Sequence, residues 1–131
     1  MPDFLDSNVV LYATDIDSDK RKRSLDLLDG GATVSVQVLN EIANVLRRKH
    51  GFSWEQIRSF TADVTGKCDV VPLSFATHER GLRYAERHTL SLYDAMIVAS
   101  AVLAGCATLY TEDMHHGLAI DGLTIRNPFR S

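Results

Sequence analysis

Residues 89–114, TLSLYDAMIVASAVLAGCATLYTEDM, decide the fold. The stretch opens on polar residues, with Ser91 placed to cap a helix and Asp94 three positions on, where a capping box reaches back. A nearly unbroken apolar run follows and stops at Gly105-Cys106. A helix that apolar leaves no face for water and reads as buried. After the break, residues 107–110 form a short apolar strand that runs directly into Thr111-Glu112-Asp113. A buried helix feeding a buried strand is half of a crossover unit, and this one carries acids at both of its mouths.

Working outward, the same alternation covers the whole chain. Residues 4–5 read as a short strand ending at Asp6-Ser7-Asn8, and residues 9–13 turn helical. An Asp-rich link at 14–19 leads to a second helix at 20–28, stopped by Gly30-Gly31. Residues 33–36 are a β-branched strand. Residues 38–49 form a helix whose apolar stripe is Val38, Ile42, Val45 and Leu46, closed by His50-Gly51. Ser53 and Gln56 spell a capping box for a helix reaching to about 65. A strand lies within 69–73 with Pro72 near its end, a helix follows over 76–87, and a last strand covers 123–125. Short apolar strands separated by helices suit a parallel sheet buried on both faces. The fold class is therefore α/β, one domain over 1–131, with a central parallel sheet flanked by helices. In such open sheets ligands bind beyond the carboxyl ends of the strands. Asp6 and Asp113 each follow a strand and belong at that edge.

Bulk properties exclude more than they identify. A chain of 131 residues, 45% hydrophobic and 24% charged, can bury one good core. Its net charge of −3 does not announce a nucleic-acid binder, although residues 20–23 (KRKR) and 47–50 (RRKH) are basic runs. Cys68 and Cys106 stand far apart without the spacing of a zinc ribbon or redox motif. They read as buried apolar residues of a reducing cytoplasm. No start segment resembles a secretory signal, and the run 95–107 is too short to span a bilayer.

Each acid has a structural reading beside the functional one. Asp6 before a helix is a natural N-cap. Glu41, at the border of its stripe, can simply be solvated. Asp94 can complete the Ser91 capping box, and Glu112 and Asp113 can be an ordinary turn. Together they weigh differently, because two follow strands and two stand on helices whose ends the fold gathers. Carboxylates 4 Å apart repel by about 4 kcal/mol at an effective dielectric near 20. Such a cluster takes up protons or holds a cation, and oxygen-only ligands favour Mg²⁺ or Mn²⁺ over zinc.

Asp6-Ser7-Asn8 after the first strand, Glu41 on a middle helix, Asp94-Ala95 opening a helix, and Thr111-Glu112-Asp113 after a late strand resemble the PIN-domain nucleases. Within them the pattern resembles the VapC-type toxins of bacterial toxin–antitoxin pairs. The likeness runs nearly end to end and includes the closing residues 122–129, GLTIRNPF. It implies a PIN-like domain, an Mg²⁺- or Mn²⁺-dependent endoribonuclease leaving a 5′-phosphate, a homodimer, and a cognate antitoxin that blocks the site. By position it assigns Asp6, Glu41, Asp94 and Asp113 to the acidic quartet. Asp6 and Asp94 are then the most direct metal ligands, Asp113 (or Glu112 in its place) a further one, and Glu41 a carboxylate that either supports the ligands from behind or positions water. Asn8 and Thr111 match residues that support the acids, and Ser7 has no chemistry assigned.

An RNA substrate calls for cations near its backbone. The candidates are Arg48, which shares a helical face with Glu41, then Lys49 and Arg47, and the 20–23 run. His115 and His116 stand close to the acid turn, and Trp54 reads as core or dimer contact. Three rival readings remain: a PIN nuclease that is not a toxin, an RNA-binding PIN domain without catalysis, and a receiver-type signalling domain. The last wants a paired acid after the first strand and a lysine after a late one. This chain has only Asp6 and no lysine beyond Lys67.

Overall fold

The structure, a computed structural model, describes residues 2–130. Strand β1 (Asp3–Leu5) lies at the centre of a six-stranded sheet of order β3-β2-β1-β4-β6-β5. Its neighbours are β2 (Ala32–Ser35) and β4 (Thr108–Tyr110), both parallel to it, with Phe4 opposite Thr33 on one side and Leu109 on the other. Beyond them run β3 (Cys68–Val71) and β6 (Leu123–Arg126), also parallel. Only β5 (Ala119–Ile120) is antiparallel. The chain thus steps outward from β1 to β3, then crosses back to β4 on the opposite side of β1. The gap between β1 and β4 is where the strand order reverses, the crevice in which open α/β sheets hold their ligands.

Helices follow the crossovers. Helices α1 (Ser7–Leu11), α2 (Arg21–Asp29), α3 (Val36–His50) and α4 (Trp54–Lys67) contact one another, with a 3₁₀ turn, Tyr12–Thr14, between the first two. Helices α5 (Phe75–His88) and α6 (Leu92–Leu103) form a closely packed pair of their own. Every residue from 95 to 101 is buried, as the apolar run required. The stripe of α3 is buried at Val38, Ile42 and Leu46, and both cysteines are buried.

Local chemistry fixes the boundaries, and several differ from the sequence reading by a residue or two. Val36 opens α3 rather than closing β2, because the Ser35 hydroxyl accepts from the Val38 N–H at 3.2 Å and caps the helix there. Strand β3 ends at Val71, before Pro72, which has no N–H to give to a ladder. The two-residue β5 went unread. It pairs with β6 around Asp121-Gly122, both at positive φ (48° and 86°), the geometry of a two-residue hairpin turn. Among the described residues no helix is long and apolar enough to cross a membrane.

Candidate active site

Asp6 leaves β1 at the reversal point, and its N–H donates to the Tyr110 carbonyl of β4 at 3.0 Å. It does cap α1: Oδ1 accepts from the Ser7 N–H at 2.7 Å. Its other oxygen, Oδ2, accepts from the Thr111 hydroxyl at 2.9 Å. The side chain is only 4% exposed. Burial pushes its carboxyl up to about 6; the Ser7 and Thr111 hydrogen bonds pull the other way, and the charges of Glu41 and Asp94 add to the rise.

Thr111, itself fully buried, is the hub of this edge. While its proton goes to Asp6, its oxygen accepts from Asn8 Nδ2 (3.2 Å) and from the Asp113 N–H (3.2 Å). Asn8 then uses its whole amide: Nδ2 also donates to Asp113 Oδ2 at 2.9 Å, and Oδ1 accepts from the Glu112 N–H at 3.1 Å. The turn after β4 is thereby tied to the start of α1 through three residues. Ser7, given no chemistry on sequence, stands between two acids. Its hydroxyl lies 3.3 Å from Glu41 Oε1 and 3.5 Å from Asp6 Oδ1. A hydroxyl one residue after a strand-end acid is the signal that could have marked it.

Helix α6 brings Asp94. The Ser91 hydroxyl accepts from the Asp94 N–H at 3.2 Å, so the first half of the capping box forms. In α4 the reciprocal bond to the cap backbone is present, from Ser53 N–H to Gln56, and α5 has the same pair. In α6 it is missing among the described residues, which leaves the Asp94 carboxylate to the crevice. Burial raises the Asp94 carboxyl, the Ser91 hydroxyl opposes that, and the charge of Asp113 reinforces it. Glu41 is likewise raised by burial, against the hydrogen bonds of Ser7 and Gln37, with Asp94 and Asp113 adding to the rise. Asp6, Glu41 and Asp94 therefore each feel at least one other acid of the set, and Asp113 acts on two of them. Among the described residues none of them is ion-paired to a lysine or arginine.

Glu112 faces elsewhere. It accepts from the Tyr12 hydroxyl at 2.6 Å and pairs with Lys20. Burial works to raise its carboxyl, but Lys20 and Tyr12 outweigh that and hold it below the usual range. The same arrangement explains the basic run at 20–23, which is engaged rather than free. Lys20 also sits over the rings of Tyr12 and Phe129, Arg21 Nε donates to the Ala13 carbonyl, Lys22 pairs with Asp26, and Arg23 Nε donates to the Pro128 carbonyl. Arg47 is partly occupied too, donating to the Phe52 carbonyl and lying 4.8 Å over the Trp54 ring. Trp54 is 57% exposed, so it is not core. Arg48 and Lys49 are exposed and carry no ion pair among the described residues. His116 Nδ1 accepts from the Asn127 N–H, and His115 is exposed.

The donor set is all carboxylate oxygen with hydroxyl and amide support, the chemistry of a hard divalent cation such as Mg²⁺ or Mn²⁺. Among the described residues no three acidic, histidine or cysteine side chains crowd closely enough to enclose an ion unaided. Mg²⁺ does not ask for that, since it keeps several waters and takes one or two carboxylates plus substrate phosphate. The residues fit the ion on that footing.

An open parallel sheet with carboxylates gathered at its reversal point defines a PIN-type domain. A family profile described as PIN domain matches residues 4–117, and the chain belongs to that family. No curated protein matches it by sequence. Solved structures share its fold at low identity. A toxin–antitoxin complex from Klebsiella pneumoniae is 19% identical, with a TM-score of 0.73 over 98% of each chain. VapBC2 from Rickettsia felis, bound to a DNA fragment from its promoter, is 21% identical, with a TM-score of 0.70 over 97% of this chain and 98% of that one. VapC20 of Mycobacterium tuberculosis, a sarcin–ricin-loop-cleaving toxin, is 19% identical, with a TM-score of 0.70 over 85% and 89%.

Proposed function

We propose that this chain is a divalent-metal-dependent endoribonuclease and the toxin of a toxin–antitoxin pair. One observation carries the reading. Asp6, Glu41, Asp94 and Asp113 act on one another's charge, burial lifts the carboxyls of the first three, and among the described residues none of the four is paired with a lysine or arginine. Several solved neighbours are toxins or toxin–antitoxin complexes, and one is a sarcin–ricin-loop-cleaving toxin. The partners that follow are an RNA substrate, an antitoxin and a second copy in a homodimer, acting in the cytoplasm.

What a divalent cation contributes when bound is Lewis-acid polarisation of a phosphoryl oxygen and a water acidic enough to attack at neutral pH. Asp6, Asp94 and Asp113 are the carboxylates that would hold it, one or two directly and the remainder through its waters. Thr111 and Asn8 fix two of those carboxylates before substrate arrives, which spares the reaction that reorganisation. Glu41, with Ser7 beside it, accepts a proton from the attacking water and orients it. Glu112 supports the edge from behind through Tyr12 and Lys20. Arg48 and Lys49, with Arg47, meet the RNA backbone.

The test is cleavage of structured RNA with Mg²⁺ and with a chelator, followed by mapping of new 5′ ends. Asp94→Ala should abolish cutting while circular dichroism stays unchanged. If that variant cut at the parent rate, the site assignment would be wrong. Growth arrest on expression, relieved by a small protein encoded alongside, tests the toxin half.

A further inference from the structure

Next to the acids, along α3, lies a pocket of about 380 Å³ lined by Gln37, Asn40, Glu41, Asn44, Leu73 and Tyr93. The volume falls within the ~300–1,000 Å³ span of small-ligand sites. Its polar wall follows from spacing: 37, 40, 41 and 44 are i, i+3, i+4 and i+7 on one face of α3. Asn40 and Asn44 are exposed, and among the described residues their amides make no side-chain hydrogen bond. Facing them are two exposed apolar groups, Leu73 (45%) and Tyr93 (68%). Tyr93 has no aromatic partner among the described residues. Gln37 differs from the other amides. It is buried and donates to the Tyr93 carbonyl at 3.2 Å, which pins the backbone carrying that ring.

No lysine or arginine lines this pocket, so it is not built for a phosphate. Its chemistry suits a flat, uncharged group with donors and acceptors along its edge. A carboxamide offers a donor and an acceptor side by side, the match for a base edge. A free tyrosine ring offers a stacking face, as proteins that take single-stranded nucleic acid do. Glu41 belongs to both the pocket and the acid cluster, so whatever fills one is adjacent to the other. We infer that the pocket takes the unpaired base of a nucleotide adjoining the scissile phosphate. Tyr93 is its stacking face, and Asn40 and Asn44 are the amides that select the base. The inference rests on the nuclease reading and adds a source of sequence choice to it. It also requires the target nucleotide to be out of a duplex.

The experiment uses the full chain with Mg²⁺ on a pool of hairpin RNAs with randomised loops, mapping the cut positions. The best substrate is then remade with an abasic ribose at each position flanking the cut. The parent protein should prefer one base at one flanking position, and an abasic ribose there should lower kcat/KM roughly tenfold or more. Tyr93→Ala should lose a similar factor on the intact substrate and become indifferent to the lesion. Asn40→Ala with Asn44→Ala should keep cutting but flatten the base preference. Unchanged kcat/KM with abasic sites at every flanking position overturns the inference, as does a Tyr93→Ala protein that stays as sensitive as the parent. A Tyr93→Ala protein whose only change is oligomeric state would assign the pocket to a protein interface, again overturning it. Failure of the nuclease reading looks different: the parent and Asp94→Ala would be equally inert on every RNA.

Discussion

Asp6 is a carboxylate in a place where charge is expensive. Its ordinary value is 3.8 and in the fold it stands at about 6, mainly through burial. The folded state therefore binds more protons than the unfolded chain between those two values, and stability falls as pH rises through that window. Two units correspond to about 3 kcal/mol, an order-of-magnitude figure. Glu41 and Asp94 are raised in the same sense and add to the loss. In chelator, urea midpoints should drop from pH 4 to pH 7, and Asp6→Asn should remove much of the slope. Millimolar Mg²⁺ at pH 7 should restore part of the loss in the parent chain. A flat profile for the parent would contradict the burial argument. Asp6, Asp94 and Asp113 stood out in sequence because each lies just after a strand or near a helix start, whereas Glu41, in the second turn of α3, was singled out by the family resemblance. Ser7 and the amide row on α3 were equally present as spacing, but their meaning depends on which side of the helix faces the crevice.

At the scale of elements, the pairing of α5 with α6 places Asp94, and it depends on Gly81. A Cβ there would lie 2.5 Å from Met96 Sδ and 3.4 Å from Met96 Cα. The Cα is at ordinary contact distance, so it is the thioether that must move, and Met96 is itself buried. Gly81→Ala gains helix propensity of about 1 kcal/mol and meets overpacking of about 1–3 kcal/mol, so the variant should melt lower. Gly66, near the end of α4, has nothing within 4 Å of the same position. Gly66→Ala should raise the midpoint, by a stability gain of up to about 1 kcal/mol. Equal shifts for the two variants would remove Gly81 from the account of how α6 is seated. Caps explain why helices were easier to read than strands. Ser53 with Gln56 declares its own helix within four residues, whereas a two-residue strand such as β5 exists only through β6. The Asp121-Gly122 turn was its one local sign.

For the whole molecule, an α/β layer with a mainly parallel sheet was readable from alternation; the order of strands and the point of reversal were not, because strand pairing is set between segments far apart in sequence. Nor was the disposition of the cations, because it is made by contacts across the chain. Lys20 reaches Glu112, and Arg23 reaches Pro128. These engage the 20–23 run, while Arg48 and Lys49 in the last turn of α3 stay exposed with no ion pair among the described residues. Arg48→Ala should therefore weaken RNA binding and reduce the slope of log K against log salt by about 0.7, the share of one phosphate contact to a single strand. An unchanged slope would mean that Arg48 touches no phosphate.

The central strand has one neighbour from early in the chain and one from very late. Phe4 lies against Thr33, which is synthesised soon after it, and against Leu109, which is not. Until β4 exists, Asp6 lacks both the carbonyl that accepts its N–H and the hydroxyl that donates to its carboxylate. A chain still emerging from the ribosome therefore has half a pocket, and whatever chemistry the acids support belongs to the finished product alone. On the nuclease reading proposed above, this late closure separates manufacture from attack.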